Sequence, residues 1–133
     1  EKGVSHNWSP ETNFKYMLVQ RRFIKPGKDQ DIYHFLQRAK KVYDKHNYTG
    51  IEGVFRLISG GNTNEYIICT GFNEYGVGGK FPDTEKTLEE LYNEMFGWEA
   101  YRKDARLYNE ALEMYSRTTE RYHFNEKLST SLN

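Results

Sequence analysis

A single cysteine, Cys69, stands in this chain of 133 residues. An intrachain disulfide is therefore impossible, and so is any metal site needing two thiolates from one chain. Net charge is also missing: 19 Lys and Arg balance 19 Asp and Glu. A balanced chain offers no bulk attraction to nucleic acid or to an anionic membrane, and long basic runs are absent. The densest basic cluster, Arg38, Lys40 and Lys41, falls on the polar side of a predicted helix. No apolar run approaches the roughly 20 residues that span a bilayer. Only three prolines interrupt the chain, and it has neither an internal repeat nor a low-complexity segment.

Aromatic residues are plentiful instead. They make up 16% of the chain, with eleven Tyr and eight Phe, although hydrophobic residues reach only 37%. That excludes the aromatic-poor composition of disorder. A core of Tyr and Phe buries much area per residue and brings hydroxyls that need partners. Tyrosines in such a chain either replace Leu and Phe in an ordinary core or gather at an interface or cavity.

The first residue is Glu, and residues 1–14 form a polar arm holding Trp8, read as a latch on the body of the protein. A mature form after removal of a secretory leader agrees with this start, and would place the chain in the periplasm or outside the cell. A trimmed domain boundary agrees with it too, and a cytoplasmic location stays open.

Residues 15–128 read as one domain, with 129–133 as a loose tail. Lys15–Lys25 alternates as a strand, with Tyr16, Leu18, Gln20, Arg22 and Ile24 on one face and Met17, Val19, Arg21 and Phe23 on the other. Pro26-Gly27 ends it. Asp29 to about Asn47 carries Ile32, Phe35, Leu36, Ala39, Val42, Tyr43 and His46 on one helical stripe. Gly53–Ser59 and Glu65–Phe72 flank the Gly60-Gly61 turn and predict an antiparallel hairpin. Thr87 and Glu90 fit a capping box before a helix. Gly97 interrupts that helix, and a second helical stretch, Trp98 to about Ser116, carries Tyr101, Ala105, Tyr108, Leu112 and Tyr115. Arg117–Leu128 reads as the last strand.

The order β-α-β-β-α-β predicts an α+β, ferredoxin-like fold with a four-stranded antiparallel sheet. Both faces of the first three strands carry apolar residues. One face takes the helices, and the other is expected to be covered, most simply by a second copy of the chain.

The strand from Tyr16 to Ile24, followed by Lys25-Pro26-Gly27-Lys28 and an amphipathic helix, together with the Ser59–Asn64 turn, resembles the dimeric α/β-barrel superfamily. The pattern is similar to antibiotic-biosynthesis-monooxygenase-like and NIPSNAP-like domains and to uncharacterised secreted bacterial domains. The resemblance implies a homodimer that closes two sheets into a barrel. The superfamily includes cofactor-free oxygenases, haem-degrading enzymes, peroxidases, isomerases and regulatory modules, so fold leaves function open. Haem-degrading members pair an early-strand Asn with a Trp and a helix-borne His. This chain has Gln20 and Arg22 in its first strand instead, which counts against haem degradation.

Several side chains are candidates for chemistry. His123 lies on one strand face with Arg121 and Asn125; it is either a general base in a cavity or part of a polar ladder. Gln20, Arg22 and Arg56 interrupt apolar strands. They predict either ion pairs with Glu65, Glu120 or Glu126, or an anion-binding cleft. Tyr92, Phe96, Trp98, Tyr101, Tyr108 and Tyr115 are either core or the wall of a pocket for a flat ligand. His34 faces solvent, His46 is either a C-terminal cap of its helix or a packed ring, and Cys69 reads as a packed thiol. No nucleophilic triad, paired-His metal spacing or paired carboxylate stands out, and no cofactor is indicated. The residues therefore favour a homodimeric small-molecule-binding domain whose pocket uses Gln20, Arg22, Arg56, Tyr92, Trp98, Tyr101 and Tyr108. A cofactor-free monooxygenase- or isomerase-like enzyme using His123, and an interaction module without a ligand, are the alternatives.

Overall fold

The computed structural model describes residues 1–61, 63–75, 77–114 and 118–125. Tyr115, Glu126, Leu128 and the tail from Ser129 lie outside the described residues. Seven elements follow in order: β1 (Tyr16–Phe23), α1 (Asp29–Lys45), β2 (Ile51–Arg56), β3 (Glu65–Phe72), α2 (Leu88–Phe96), α3 (Ala100–Glu110) and β4 (Thr118–His123). The sheet order is β2-β3-β1-β4, antiparallel at every pairing. Each half of the chain is thus a split β-α-β unit with a strand of the other half inserted into it. This is the ferredoxin-like α+β fold expected from the element order.

Local chemistry explains the boundaries. Asp29 and Asp31 stand in the first turn of α1 and Lys45 in its last, matching the helix dipole. The Thr87 hydroxyl accepts from the Glu90 amide at 3.3 Å, so Thr87 is the N-cap of α2, and the same hydroxyl donates to the Glu90 carboxylate at 3.3 Å. The second helical region is split at Gly97, whose φ of 113° is denied to most side chains. The helix after it is shorter than its periodicity predicts. Its end at Glu110 has a cause in tertiary structure: Ala111 and Leu112 turn to meet the end of β1. The Lys25 amide donates to the Ala111 carbonyl at 2.8 Å, and the Glu113 amide to the Phe23 carbonyl at 2.9 Å. No helix among the described residues is long and apolar enough to cross a membrane.

Directly paired residues share a face of the sheet. The register therefore assigns Tyr16, Leu18, Gln20 and Arg22 of β1 to one face with Val54, Tyr66, Ile68 and Phe72, and with Thr119, Arg121 and His123 of β4. Val54 and Tyr66 pack with Ile32 of α1 and with Val4, Ile24 and Leu112, so this is the helix-bearing face. A second cluster, Val42, Leu91 and Tyr92, lies among the three helices.

The opposite face is partly covered from within the chain. The arm itself does part of the work. His6 bridges to the edge of β2 at Glu52. Trp8 then crosses over Gly53, where a Cβ would stand 2.5 Å from its ring, and Phe14 does the same over Gly71 at 2.6 Å. Trp8 stands 5.5 Å from both Phe14 and Phe55, centroid to centroid. Val19 and Cys69 are buried on that face. Phe55, Tyr122 and Phe124 stay exposed around this cover.

Candidate ligand-binding site

Antiparallel pairing of β4 with β1 sets His123 opposite Tyr16, and pairing of β1 with β3 sets Tyr16 opposite Phe72. Three rings from three strands therefore stand in one row on the helix-bearing face. The His123 and Tyr16 rings are 4.8 Å apart and 17° from parallel; Tyr16 and Phe72 are 5.9 Å apart and 18° from parallel. Tyr75, beyond the end of β3, meets Tyr16 edge-on at 5.5 Å. Both stacked and edge-on geometries suit the ring quadrupole. The row does not disappear under the helices: Tyr75 and His123 are exposed, and Tyr16 and Phe72 are half-buried.

This row borders a hollow of about 160 Å³, which Arg121 also lines. A second hollow of about 190 Å³ adjoins it at the same strand ends, lined by Phe14, Met17, Tyr122 and Phe124 along with Tyr16 and His123. His123 thus takes part in a pocket, and also in a cross-strand ladder, since the two sequence alternatives describe the same place. Its ladder partner is an aromatic ring. Among the described residues no carboxylate pairs with its imidazole.

The other candidates are scattered. Tyr92 is fully buried, packed by Phe35, Phe96 and Tyr101, and its hydroxyl donates to Asp104 at 2.6 Å. Tyr101 belongs to the same helix-enclosed cluster. Tyr108 lies against the other cluster, its hydroxyl bonded to that of Tyr66. These three rings fill the interior where the sequence suggested a cavity. Trp98 is separated from them, 88% exposed at the α2–α3 junction beside Glu99, Arg102, Lys103 and Arg106.

The strand polar residues find mostly local partners. Arg56 pairs with Asp29 at 2.5 Å, at the start of α1, instead of the glutamates considered from sequence. Arg22 donates to the carbonyls of Arg21 and Thr118 at 2.9 and 3.0 Å. Arg21, on the opposite face, takes Glu65 at 3.3 Å and Glu120 at 3.8 Å. Gln20 sits half-buried between Ile68 and Thr119 in the register. Cys69 is buried, and that burial pushes its thiol pKa up, away from reactivity. Among the described residues no cluster of His, Cys, Asp and Glu suits a metal ion.

Two charged sites escaped the sequence reading. Asp104 of α3 is 4% exposed. Its carboxylate takes the Tyr92 hydroxyl, Arg38 Nη1 at 2.9 Å and His34 Nε2 at 3.4 Å. Arg38 also lies over the Phe96 ring, 4.6 Å from its centroid, so it is no simple solvated cation. Glu52 of β2 is the other. Burial pushes its carboxyl pKa up, and the nearby His6 opposes that only in part. The folded state therefore holds the Glu52 proton more tightly than the unfolded chain does. Its stability contribution declines as pH rises above the ordinary glutamate value of 4.5. Glu52→Gln is accordingly expected to stabilise the protein at neutral pH, with the gain vanishing as pH falls below that value. Urea midpoints of both proteins across this range check it, and a gain that grows on acidification would refute it.

Comparison with known proteins adds a likeness of shape. No protein-family model matches the chain, and no curated protein matches it. Among solved structures, it is similar to a Bordetella bronchiseptica protein named "Putative antibiotic biosynthesis monooxygenase", with a TM-score of 0.49 and 9% identity over 85% of this chain and 99% of that one. The fold assignment rests on the strand order and connections of the chain itself.

Proposed function

We propose that this chain is a small-molecule-binding domain that works as a homodimer, and that its ligand sits at the Tyr16–His123 end of the sheet. One observation carries the reading: a row of parallel rings left open to solvent beside a hollow. Exposed, ordered aromatic surface of this kind is costly to leave in water and is well suited to a planar ligand. In this role His123 is a wall of the site, stacking through its ring. The dimer reading draws on Phe55 and Tyr122, which remain exposed on the face opposite the helices.

The test is a fragment screen on the full chain, followed by the ring proton signals of Tyr16 and His123. Planar fragments are expected to shift both signals. Tyr16→Ala should weaken the same fragments about tenfold, because stacking on an aromatic side chain contributes roughly 1–3 kcal/mol. Tyr16 is half-buried at one end of the sheet, so the variant should keep the wild-type circular dichroism. A screen in which no fragment reaches these signals would sink the binding reading. Native mass spectrometry tests the assembly separately, and a monomer mass would remove the dimer.

A further inference from the structure

We infer that the ligand of this site is a single-ring aromatic anion, with a carboxylate the simplest case. The inference rests on the binding reading above and narrows it. Its basis is the juxtaposition of the ring row with the Arg121 guanidinium, which has no partner among the described residues.

Size comes first. A cavity of about 150 Å³ takes one benzene-sized ring. The hollow at the ring row is about 160 Å³. Pockets for drug-sized or larger ligands run from roughly 300 Å³ upward. One aromatic ring is the unit that fills this hollow.

Charge comes second. Arg121 is two residues from His123 on β4, so both project from the same face, and Arg121 pairs with Leu18 as His123 pairs with Tyr16. It lines the same hollow as the rings. Other arginines of the sheet are engaged: Arg21 by Glu65 and Glu120, Arg22 by two carbonyls, Arg56 by Asp29. Arg121 shows no hydrogen bond or ion pair among the described residues. None of the residues lining the hollow is acidic. The nearest carboxylate along the strand, Glu120, points to the opposite face, toward Arg21 and Tyr122. A guanidinium without a partner offers two parallel N–H donors that match a carboxylate. The ring row supplies the apolar contact, and Arg121 supplies the counter-charge one strand step away.

Three probes of graded chemistry decide the matter on the full chain: benzoate, benzyl alcohol and acetate. Benzoate is expected to shift the Tyr16 and His123 ring signals at the lowest concentration. Benzyl alcohol should need about ten times more, the scale of one lost charge-assisted hydrogen bond. Acetate, with the charge and no ring, should fall further behind. Arg121→Gln should bring benzoate down to the level of benzyl alcohol and leave benzyl alcohol unchanged. This variant trims an exposed side chain that has no partner among the described residues, so its fold is not at stake. Equal binding of benzoate and benzyl alcohol would overturn the anion inference and leave the aromatic site standing. So would an Arg121→Gln protein that binds benzoate as well as the wild type. If other planar fragments bind and benzoate does not, the inference falls alone. If no fragment reaches the ring row, it falls together with the binding reading.

Discussion

Asp104→Ala is expected to lower the free energy of unfolding by about 3–5 kcal/mol, the cost of stranding the partners of a buried ion pair. The carboxylate is 4% exposed and joins three helices at one point. Tyr92 of α2 reaches one oxygen at 2.6 Å, Arg38 of α1 reaches the same oxygen at 2.9 Å, and His34 of α1 stands 3.4 Å from the other. Removing the acceptor leaves the Tyr92 hydroxyl inside a fully buried cluster with nothing to donate to. It also leaves Arg38 held over Phe96 without its counter-charge. Burial pushes the Tyr92 pKa up, with Asp104 adding to the effect, so the phenol stays a neutral donor. Asp104→Asn retains the shape and one acceptor oxygen, and its loss should be smaller. Urea unfolding measures both. Glu110→Ala, on an exposed position of the same helix, is the control and should change stability by less than about 0.5 kcal/mol. A loss below about 1 kcal/mol for Asp104→Ala would mean that water already shares the carboxylate, and that the site is not the clasp of the helix layer.

This clasp was written in the sequence, in a form that apolar patterning passes over. Tyr101, Asp104, Ala105 and Tyr108 occupy positions i, i+3, i+4 and i+7 of α3. Phe35, Arg38, Ala39 and Val42 do the same on α1. Each stripe holds one charged residue of opposite sign, and a charge in a buried stripe needs a partner. Reading only the apolar members places Arg38 among solvated cations and overlooks Asp104. The element order, the alternation of β1, the Thr87 cap of α2 and the break at Gly97 were legible because each is set by neighbours in the chain. The ring row was not, because it depends on the register between β1, β3 and β4, which are distant in sequence. Tyr16 was assigned to the right face of β1, but nothing local says that His123 stands opposite it. The pairing of Arg56 with Asp29 failed to show for the same reason. The arm is a third case. Gly53 and Gly71 are each where an aromatic ring of the arm, Trp8 or Phe14, lies against the sheet, and nothing local in either strand says so.

Ile32→Ala should cost about 3 kcal/mol, within the range of roughly 2–5 for a buried isoleucine reduced to alanine. Ile32 has no exposed surface and sits where α1 meets the sheet, in contact with the cluster of Val54, Tyr66, Val4 and Leu112. Its neighbours have little freedom to close the space. Tyr66 is tied through its hydroxyl to Tyr108, and Leu112 is fixed by the bridge to Ile24. The cavity should therefore persist, which pushes the loss toward the middle of the range instead of its lower end. Ile32→Val removes one methyl and should cost about 1 kcal/mol. Leu91→Ala probes the other cluster, among the helices, with a similar expected loss. The two clusters share α1 but not their side chains, so the two losses should add to within about 0.5 kcal/mol. A sum near 6 kcal/mol approaches the whole stability of many small domains, about 5–15 kcal/mol, so the double variant needs a stabilising osmolyte in the buffer to be measured. A double-variant loss well short of the sum would show that α1 couples the clusters into one core. Ile32→Ala by itself costing under about 1 kcal/mol would mean that the helix layer can settle onto the sheet, and that the seat of α1 is looser than its burial implies.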